Sequence, residues 1–268
     1  MNERPIGVFD SGVGGLSVLR EIHALLPQEN LLYVADSAHV PYGDKPAGFV
    51  EARSLAITRF LLQRGAKAIV VACNTATTVA IAALRTRFTV PVVGMEPAVK
   101  PAAIESRSGR VGVLATRGTL ASDKFASLLA RFSVGVDVQV QPCPGLVERV
   151  ERGALADDQT RALVESYVAP LVHGGVDTIV LGCTHYPFLR TLIAEAAGPT
   201  VSVIDPSPAV ARELRRRLEE GGLRSQADRR GTQRFWTSAE LVDAKPVIAQ
   251  LWGADVEVMR LPALDPID

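Results

Sequence analysis

Two cysteines of this chain follow apolar runs of the same kind. Cys73 lies in IVVACNTATT, at 69–78, and Cys183 lies in IVLGCTHYPF, at 179–188. The Thr, Asn and Pro residues after them are typical of the first turn of a helix. A thiol at a helix N-terminus is expected to have a lowered pKa, which makes it a usable base or nucleophile. A single cysteine is more often a small buried apolar residue, but two at equivalent positions favour chemistry.

Three stretches of the first half of the chain recur in the second half. GVFDSG matches GVLATRG, and PVVGMEPAV matches SVIDPSPAV. GAKAIVVACNT, from Gly65, matches GVDTIVLGCTH, from Gly175, with eight positions from glycine to cysteine in both. The period is too long for a solenoid repeat. It predicts two related α/β domains of about a hundred residues each.

Apolar, β-rich runs alternate with helical patterns, which predicts an α/β fold with mostly parallel sheets. The predicted strands are Ile6–Phe9, Leu31–Ala35, Ala68–Ala72, Pro91–Gly94, Val111–Leu114, Val136–Gln141, Thr178–Gly182 and Val201–Ile204. We expect a first domain at 1–97 plus 208–268, which includes two further strands, and an inserted second domain at 98–207. A pseudo-twofold axis is expected to relate the two, with the active site in the cleft between them.

Composition narrows the class of protein. Of 268 residues, 47% are hydrophobic, and 29 basic residues balance 29 acidic ones. This balance gives no reason to expect binding to nucleic acid or to an anionic membrane. The start of the chain has no signal-peptide pattern, so a cytoplasmic location is expected. Three cysteines without zinc spacing predict free thiols and no metal site.

The repeated turns predict a shared site, because ligands gather at the carboxyl ends of parallel strands. If the two turns face each other across a cleft, two acid–base groups flank one bound molecule. One group can remove a proton from one face of a carbon while the other delivers a proton to the opposite face, which inverts a stereocentre. Two alternatives stay open at this point: a redox pair of thiols, although no CxxC is present, and a ligand-binding module without catalysis.

Other polar residues are predicted at the same sheet edges. Asp10 and Ser11 follow the first strand and open the turn DSGVGG, whose backbone N–H groups are expected to be free for a substrate carboxylate. The loop HVPYGDKP follows the second strand and is a candidate lid. In the second half, Thr116 takes the place of Ser11 and Ala115 that of Asp10. The two halves are therefore expected to differ in electrostatics.

Acid–base partners for the cysteines are less clear from spacing alone. Asp10 is a candidate partner of Cys73, and His185 is a candidate partner of Cys183 because it follows two residues later. Glu148 and Glu151 lie one turn apart in GLVERVERGAL. Their spacing alone favours a solvated helix face.

At this point the motifs resemble those of the glutamate racemases, within the aspartate/glutamate racemase superfamily. The resemblance spans nearly the whole chain. It rests on GVFDSGVGGLSVL, YVADSAHVPYGDK, VVACNTATT, CPGLVERVERG, VLGCTHYPFL and FWTSAELV. It implies cofactor-independent interconversion of L- and D-glutamate, which supplies D-glutamate for peptidoglycan synthesis. It also implies a homodimer.

The resemblance also implies roles for individual residues. Cys73 takes the α-proton of D-glutamate with help from Asp10, and Cys183 takes that of L-glutamate. His185 and Glu151 assist Cys183. The implied substrate contacts are Asp10, Ser11, Pro41, Tyr42, Gly43, Asn74, Thr75, Thr116, Thr119, Thr184 and His185. A racemase for another small acid, such as aspartate, and a non-catalytic glutamate-binding module remain the alternatives.

Overall fold

The apolar runs of the sequence form two parallel sheets. A computed structural model of the protein describes residues 2–132 and 135–264. The strands are β1 Ile6–Asp10, β2 Leu31–Ala35, β3 Ala68–Val71, β4 Val92–Gly94, β5 Arg110–Ala115, β6 Asp137–Pro142, β7 Thr178–Leu181, β8 Ser202–Ile204, β9 Gln233–Thr237 and β10 Val258–Arg260. Within the described residues, one sheet has the order β10-β9-β2-β1-β3-β4 and the other has the order β6-β5-β7-β8, with parallel pairing throughout. The predicted fold class is confirmed.

Helices connect the strands and cover the sheets. They are α1 Leu16–Leu25, α2 Ala47–Gln63, α3 Asn74–Arg87, α4 Val99–Glu105, α5 Arg117–Leu120, α6 Asp123–Phe132, α7 Leu146–Glu151, α8 Asp158–His173, α9 Arg190–Ala197, α10 Ser207–Glu220 and α11 Leu241–Trp252. Short 3₁₀ helices lie at Ser37–His39, Tyr42–Asp44 and Tyr186–Leu189. None of the helices in the described part of the chain is long and apolar enough to cross a bilayer.

The duplication is visible in strand order and in register. The order β2-β1-β3-β4 of the first sheet matches β6-β5-β7-β8 of the second. Gly7 pairs with Ile69 in the first sheet, and Gly112 pairs with Ile179 in the second. These four residues occupy equivalent places in the sequence repeat, so the two sheets repeat each other residue by residue. The matched register supports the duplication predicted from the sequence.

The order along the chain shows how the second sheet is inserted. Strands β5 to β8 form the second sheet, whereas β9 and β10 return to the first. Helix α10 follows β8 and precedes β9 in the chain. It contacts α1, where Ser207 Oγ lies 3.4 Å from Ser17 Oγ. The domain bounds, 1–97 plus 208–268 for the first domain and 98–207 for the second, stay a prediction. Met1, residues 133–134 and residues 265–268 lie outside the described part of the chain.

A buried ion pair holds together the end of the first sheet that is opposite to the cysteines. Lys67 precedes β3, and its Nζ lies 2.5 Å from Glu29 Oε2 and donates to the Asn2 carbonyl at 3.0 Å. Glu29 Oε1 accepts from the Ser225 N–H at 2.7 Å. The side chain of Lys67 is 0% exposed and that of Glu29 is 2% exposed. Each charge therefore depends on the other for stabilisation.

We expect Lys67→Met to lower the free energy of unfolding by about 3–5 kcal/mol, because it leaves the Glu29 carboxylate buried without a counter-charge. Urea unfolding followed by circular dichroism measures the loss. The double variant Lys67→Met/Glu29→Gln removes both charges and keeps an acceptor for Ser225, so it should recover much of that stability. A loss below about 1 kcal/mol in the single variant would show that the pair is not a major determinant of stability.

Candidate active site

A cavity at the carboxyl edges of the two sheets brings both cysteines together. It is lined by Ser11, Pro41, Tyr42, Gly43, Cys73, Asn74, Thr75, Thr116, Thr119, Val147, Gly182, Cys183, Thr184 and His185. This wall contains the predicted site residues except Asp10 and Glu151, which lie behind it. Val147 and Gly182 are additions that the sequence did not indicate. The free space is about 10 Å³, close to what a single water molecule needs.

Cys73 occupies the N-cap position of α3, two residues after the end of β3. The N–H of Ala76 points at the sulfur, with 3.4 Å between the nitrogen and Sγ. Ser11 Oγ lies 3.8 Å from the same sulfur. The predicted place of this thiol at a helix N-terminus is confirmed.

The predicted lowering of the Cys73 pKa is wrong. Burial raises the pKa of the Cys73 thiol well above its ordinary value, and the neighbouring Asp10 carboxylate raises it further. The Ala76 N–H acts in the opposite direction but is outweighed. Burial likewise raises the pKa of Asp10, which is 0% exposed. The Cys73 side of the cavity therefore favours a neutral thiol, which is a proton donor.

Cys183 is also two residues past its strand, but a 3₁₀ helix follows it at Tyr186–Leu189 and α9 begins only at Arg190. The helix N-terminus predicted at this cysteine is therefore displaced. A side chain, and not a helix N-terminus, faces the Cys183 sulfur: His185 Nδ1 lies 3.7 Å from Cys183 Sγ. His185 is 1% exposed.

His185 forms a chain with Glu151. Its Nε2 lies 2.6 Å from Glu151 Oε1, while its Nδ1 faces the Cys183 sulfur. Burial lowers the pKa of His185, but hydrogen bonds with Cys183 and Glu151 outweigh burial and raise that pKa well above its ordinary value. The imidazolium form of His185 is therefore favoured next to the Cys183 sulfur.

The structure distinguishes Glu151 from Glu148. Glu151 Oε1 accepts from the Val13 N–H at 2.7 Å, and Oε2 accepts from Ser37 Oγ at 2.9 Å. The solvated face predicted for the two residues is wrong for Glu151, because the first sheet's loops cover it. Glu148 lies on the wall of a neighbouring cleft with Arg117 and Pro144.

Backbone N–H groups of the turn DSGVGG donate hydrogen bonds to carboxylates of the protein itself. The N–H groups of Ser11 and Gly15 donate to Asp10 Oδ1 and Oδ2, at 2.7 and 2.6 Å, and that of Val13 donates to Glu151. The expectation that these donors are free for substrate is therefore wrong for these three. The glycines instead allow a close approach, since a Cβ at Gly14 would lie 2.6 Å from Cε1 of His185.

Polar side chains join the two halves around the cavity. Thr184 Oγ1 donates to Asp10 Oδ2 at 3.1 Å, and Ser17 Oγ donates to the Thr184 carbonyl at 3.0 Å. Thr75 Oγ1 lies 3.3 Å from the hydroxyls of both Thr116 and Thr119. The predicted equivalence of Thr116 and Ser11 fits this arrangement, in which hydroxyls face the cavity from both sheets.

Asn74 differs from these residues because its amide is unused. It is 3% exposed, and neither its Oδ1 nor its Nδ2 has a hydrogen-bond partner among the described residues. A buried amide without partners costs free energy, so its presence calls for an explanation, of which a functional role is one. Its position on the cavity wall makes it a donor and acceptor for a bound molecule.

Sequence reasoning missed the residues that support the site from β2. Asp36 accepts from Tyr42 Oη at 2.6 Å and from Arg53 Nε at 2.9 Å, which fixes the loop that carries Tyr42 and Gly43. Ser37 contacts Glu151. Asp36 and Ser37 directly follow β2, and Asp10 and Ser11 stand at the end of β1, one register position earlier. An Asp-Ser pair at the end of each strand was therefore a usable signal.

The arrangement provides two thiol groups on different sheets, each beside an ionisable side chain. The Cys73 side favours the thiol, and on the other side an imidazolium lies beside the Cys183 sulfur. Both sulfurs face one small, water-poor cavity, where electrostatic effects are stronger than in water. Such a site can exchange protons with a carbon acid held between the two sulfurs.

Known proteins resemble the chain over nearly its full length. The family model described as Asp/Glu/Hydantoin racemase matches residues 6–214. The glutamate racemase of Methylococcus capsulatus is 58% identical over 262 residues, which cover 98% of this chain and 97% of that one.

Solved structures agree with this match. The Escherichia coli glutamate racemase in complex with L-glutamate and the activator UDP-MurNAc-ala has a TM-score of 0.86 at 34% identity, with 97% and 99% of the two chains covered. The Francisella tularensis glutamate racemase in complex with D-glutamate has a TM-score of 0.85 at 28% identity, with 99% of each chain covered. The chain therefore belongs to the Asp/Glu/Hydantoin racemase family.

Proposed function

We propose that the protein is an isomerase that interconverts L-glutamate and D-glutamate with Cys73 and Cys183 as its two bases. The observation that carries the proposal is the shared cavity, which has one sulfur on its wall from each of two matching sheets. The 58% identity to a glutamate racemase supports glutamate as the substrate. The product D-glutamate would then be available for peptidoglycan synthesis.

In the proposed reaction, the Cys183 thiolate removes the α-proton of L-glutamate. The Cys73 thiol then delivers its own proton to the opposite face of the α-carbon, which yields D-glutamate, a Cys183 thiol and a Cys73 thiolate. The reverse reaction starts from that second protonation state. To return to the starting state, the Cys183 thiol releases its proton to water, and the His185 imidazolium stabilises the resulting thiolate. The Cys73 thiolate takes up a proton from solvent, passed on by Asp10.

The wall residues supply the contacts that orient glutamate. Hydroxyls of Ser11, Thr75 and Thr184 and the free amide of Asn74 suit its carboxylates and its ammonium group. Tyr42 and Gly43, with Pro41 before them, close one side of the cavity, and Thr116 and Thr119 contribute from the second sheet. Asp10, which lies behind Ser11, acts through its neighbours in this proposal.

The α-proton of an amino acid is a very weak acid, so the carbanion needs strong stabilisation. The proposed reaction uses no cofactor, and fixed hydroxyl and amide dipoles in a site that excludes water supply that stabilisation. The present cavity has room for about one water molecule, which is far less than glutamate needs. We therefore propose that the two halves separate to admit substrate and close on it, which expels water before proton transfer.

The cellular location and the oligomeric state of the protein also stay proposals. A cytoplasmic location is a prediction from the sequence, and a homodimer is implied by the resemblance. Neither is needed for the chemistry, because the residues proposed to act belong to a single chain.

The proposed activity is tested with purified protein and L-glutamate in D₂O, without added cofactor. We expect the optical rotation to fall to zero and deuterium to appear at the α-carbon of the inverted product. L-Aspartate, assayed in parallel, should stay optically active. Binding of glutamate without loss of optical activity would support a binding module, and racemisation of aspartate alone would support the other small-acid racemase.

We expect Asn74→Ala to raise the KM for both enantiomers by about tenfold, because a hydrogen bond to a charged substrate is lost. The melting temperature should stay unchanged or rise, since the amide has no partner among the described residues. Initial rates and thermal unfolding measure the two effects.

Asn30→Ala is the matched control for this variant. Its amide donates to the Glu3 carbonyl at 2.8 Å and accepts from the Thr232 N–H at 2.9 Å, at the far end of the first sheet. It should lower the melting temperature and leave KM unchanged. An unchanged KM in Asn74→Ala would remove Asn74 from the substrate contacts.

A further inference from the structure

Glu151 is held in place from outside its own domain. It ends α7, and a carboxylate at a helix C-terminus is disfavoured by the helix dipole. Two hydrogen-bond donors in loops that follow strands of the first sheet offset this effect. The N–H of Val13 donates to Oε1, and the hydroxyl of Ser37 donates to Oε2. Both contacts cross from one half of the chain to the other. The orientation of Glu151 therefore depends on residues that the sequence motif around it does not contain.

Ser37 donates the only hydrogen bond to Glu151 Oε2 among the described residues. Oε1 has two partners, Val13 N and His185 Nε2, whereas Oε2 has Ser37 Oγ at 2.9 Å. The terminal torsion of a glutamate side chain is soft, so one fixed oxygen does not fix the plane of the carboxylate. A second hydrogen bond at Oε2 does fix that plane. It holds Oε1 in line with His185.

The chain of contacts continues to the reacting sulfur. Ser37 fixes Glu151, Glu151 fixes the Nε2 edge of His185, and Nδ1 then faces Cys183 Sγ at 3.7 Å. Ser37 is half-buried and begins a 3₁₀ helix two residues after the end of β2. It does not line the cavity and touches no substrate in the proposed reaction.

We propose that Ser37 is a positioning residue for the proton transfer at Cys183, an inference that rests on the proposed two-thiol racemisation. Its hydroxyl aligns the Glu151 carboxylate with His185, and the aligned imidazolium stabilises the thiolate of Cys183. No described hydrogen bond links this chain of contacts to Cys73 or Asp10, although the charges of His185 and Glu151 act on the pKa of Asp10. Loss of the hydroxyl should therefore slow the proton transfer at Cys183 more than the one at Cys73.

The test uses Ser37→Ala, with Ser37→Thr as the conservative variant. For the alanine variant we expect kcat/KM to fall about tenfold, the effect of one hydrogen bond to a charged group. The fall must be equal in both directions, because the two enantiomers are equal in free energy. Ser37→Thr keeps the hydroxyl and should recover most of the activity.

Isotope effects show which proton transfer has slowed. In Ser37→Ala, the effect on kcat/KM with α-deuterated L-glutamate should rise, because removal of that proton by Cys183 becomes more rate-limiting. The effect with α-deuterated D-glutamate should fall, because its proton is removed by Cys73. A purely structural defect would lower kcat/KM and leave both isotope effects unchanged.

Ser238→Ala is the matched control. Ser238 Oγ accepts from the Ala38 N–H at 3.0 Å, so the variant disturbs the same loop without touching Glu151. Both isotope effects should stay at their wild-type values. If Ser37→Ala also leaves them unchanged, or shifts them in the opposite sense, the proposal for Ser37 is overturned. If wild-type protein does not racemise glutamate, the proposed function fails instead.

Discussion

Cys73→Ala and Cys183→Ala should each reduce glutamate racemisation by roughly 10⁴-fold or more, because removal of one acid–base group that acts in series with another stops the whole reaction. The two sulfurs face one cavity from different sheets, so neither can take over the role of the other. Polarimetry with each enantiomer measures the loss. Circular dichroism and thermal unfolding check that the fold persists.

Deuterium exchange separates the two roles. In Cys73→Ala, the remaining Cys183 can still remove and return a proton on one face, so any α-deuteration should be confined to L-glutamate. In Cys183→Ala, it should be confined to D-glutamate. The reverse pattern would exchange the proposed roles of the two cysteines.

Cys143→Ala is the matched control for both variants. Cys143 is 2% exposed, belongs to the apolar core and donates to the Gln141 carbonyl at 3.3 Å. Its loss should cost stability on the order of 1 kcal/mol with little loss of activity. Near-normal racemisation by Cys73→Ala or Cys183→Ala would exclude the two-thiol mechanism.

The duplicated fold was predictable because the repeat consists of short sequence patterns that are visible without knowledge of distant contacts. Buried parallel strands give continuous apolar runs, and the two Gly-to-Cys stretches have equal lengths. Equal lengths place Cys73 and Cys183 at equivalent strand ends, where parallel sheets gather their ligands. The positions of Asn74, Thr75 and Thr184 on the cavity wall then follow directly, since each lies within two residues of one of the cysteines.

What the sequence could not predict depends on contacts between distant parts of the chain. Ser37 and Glu151 are 114 positions apart, and Val13 and Glu151 are 138 apart. Helical spacing puts Glu148 and Glu151 on one face, and only the packed halves show which one meets His185. The pKa of Cys73 was predicted with the wrong sign because burial beside Asp10 is a property of the assembled site, whereas a helix N-terminus is local.

The glycines of DSGVGG make a second prediction with a large effect. We expect Gly14→Ala to lower kcat/KM by about 10²-fold or more, since a shift of about 1 Å in a catalytic group has that effect. A Cβ at Gly14 would lie 2.6 Å from Cε1 and 2.7 Å from Cγ of His185, so the ring must move. Gly14 is not among the described glycines with positive φ, and the three atoms nearest to the added Cβ all belong to His185, so the contact with His185 dominates the effect.

The matched control, Gly48→Ala, separates this contact from a general effect of losing a glycine. Gly48 lies in α2, and a Cβ there would have no described atom within 4 Å, so alanine should raise stability by about 0.5–1 kcal/mol and leave activity unchanged. In Gly14→Ala, displacement of His185 weakens its contact with Cys183, so the isotope effect with α-deuterated L-glutamate should rise, as in Ser37→Ala. Full activity in Gly14→Ala would mean that the His185 ring can leave its place beside Cys183 without cost, and the proposed role of His185 would then be wrong.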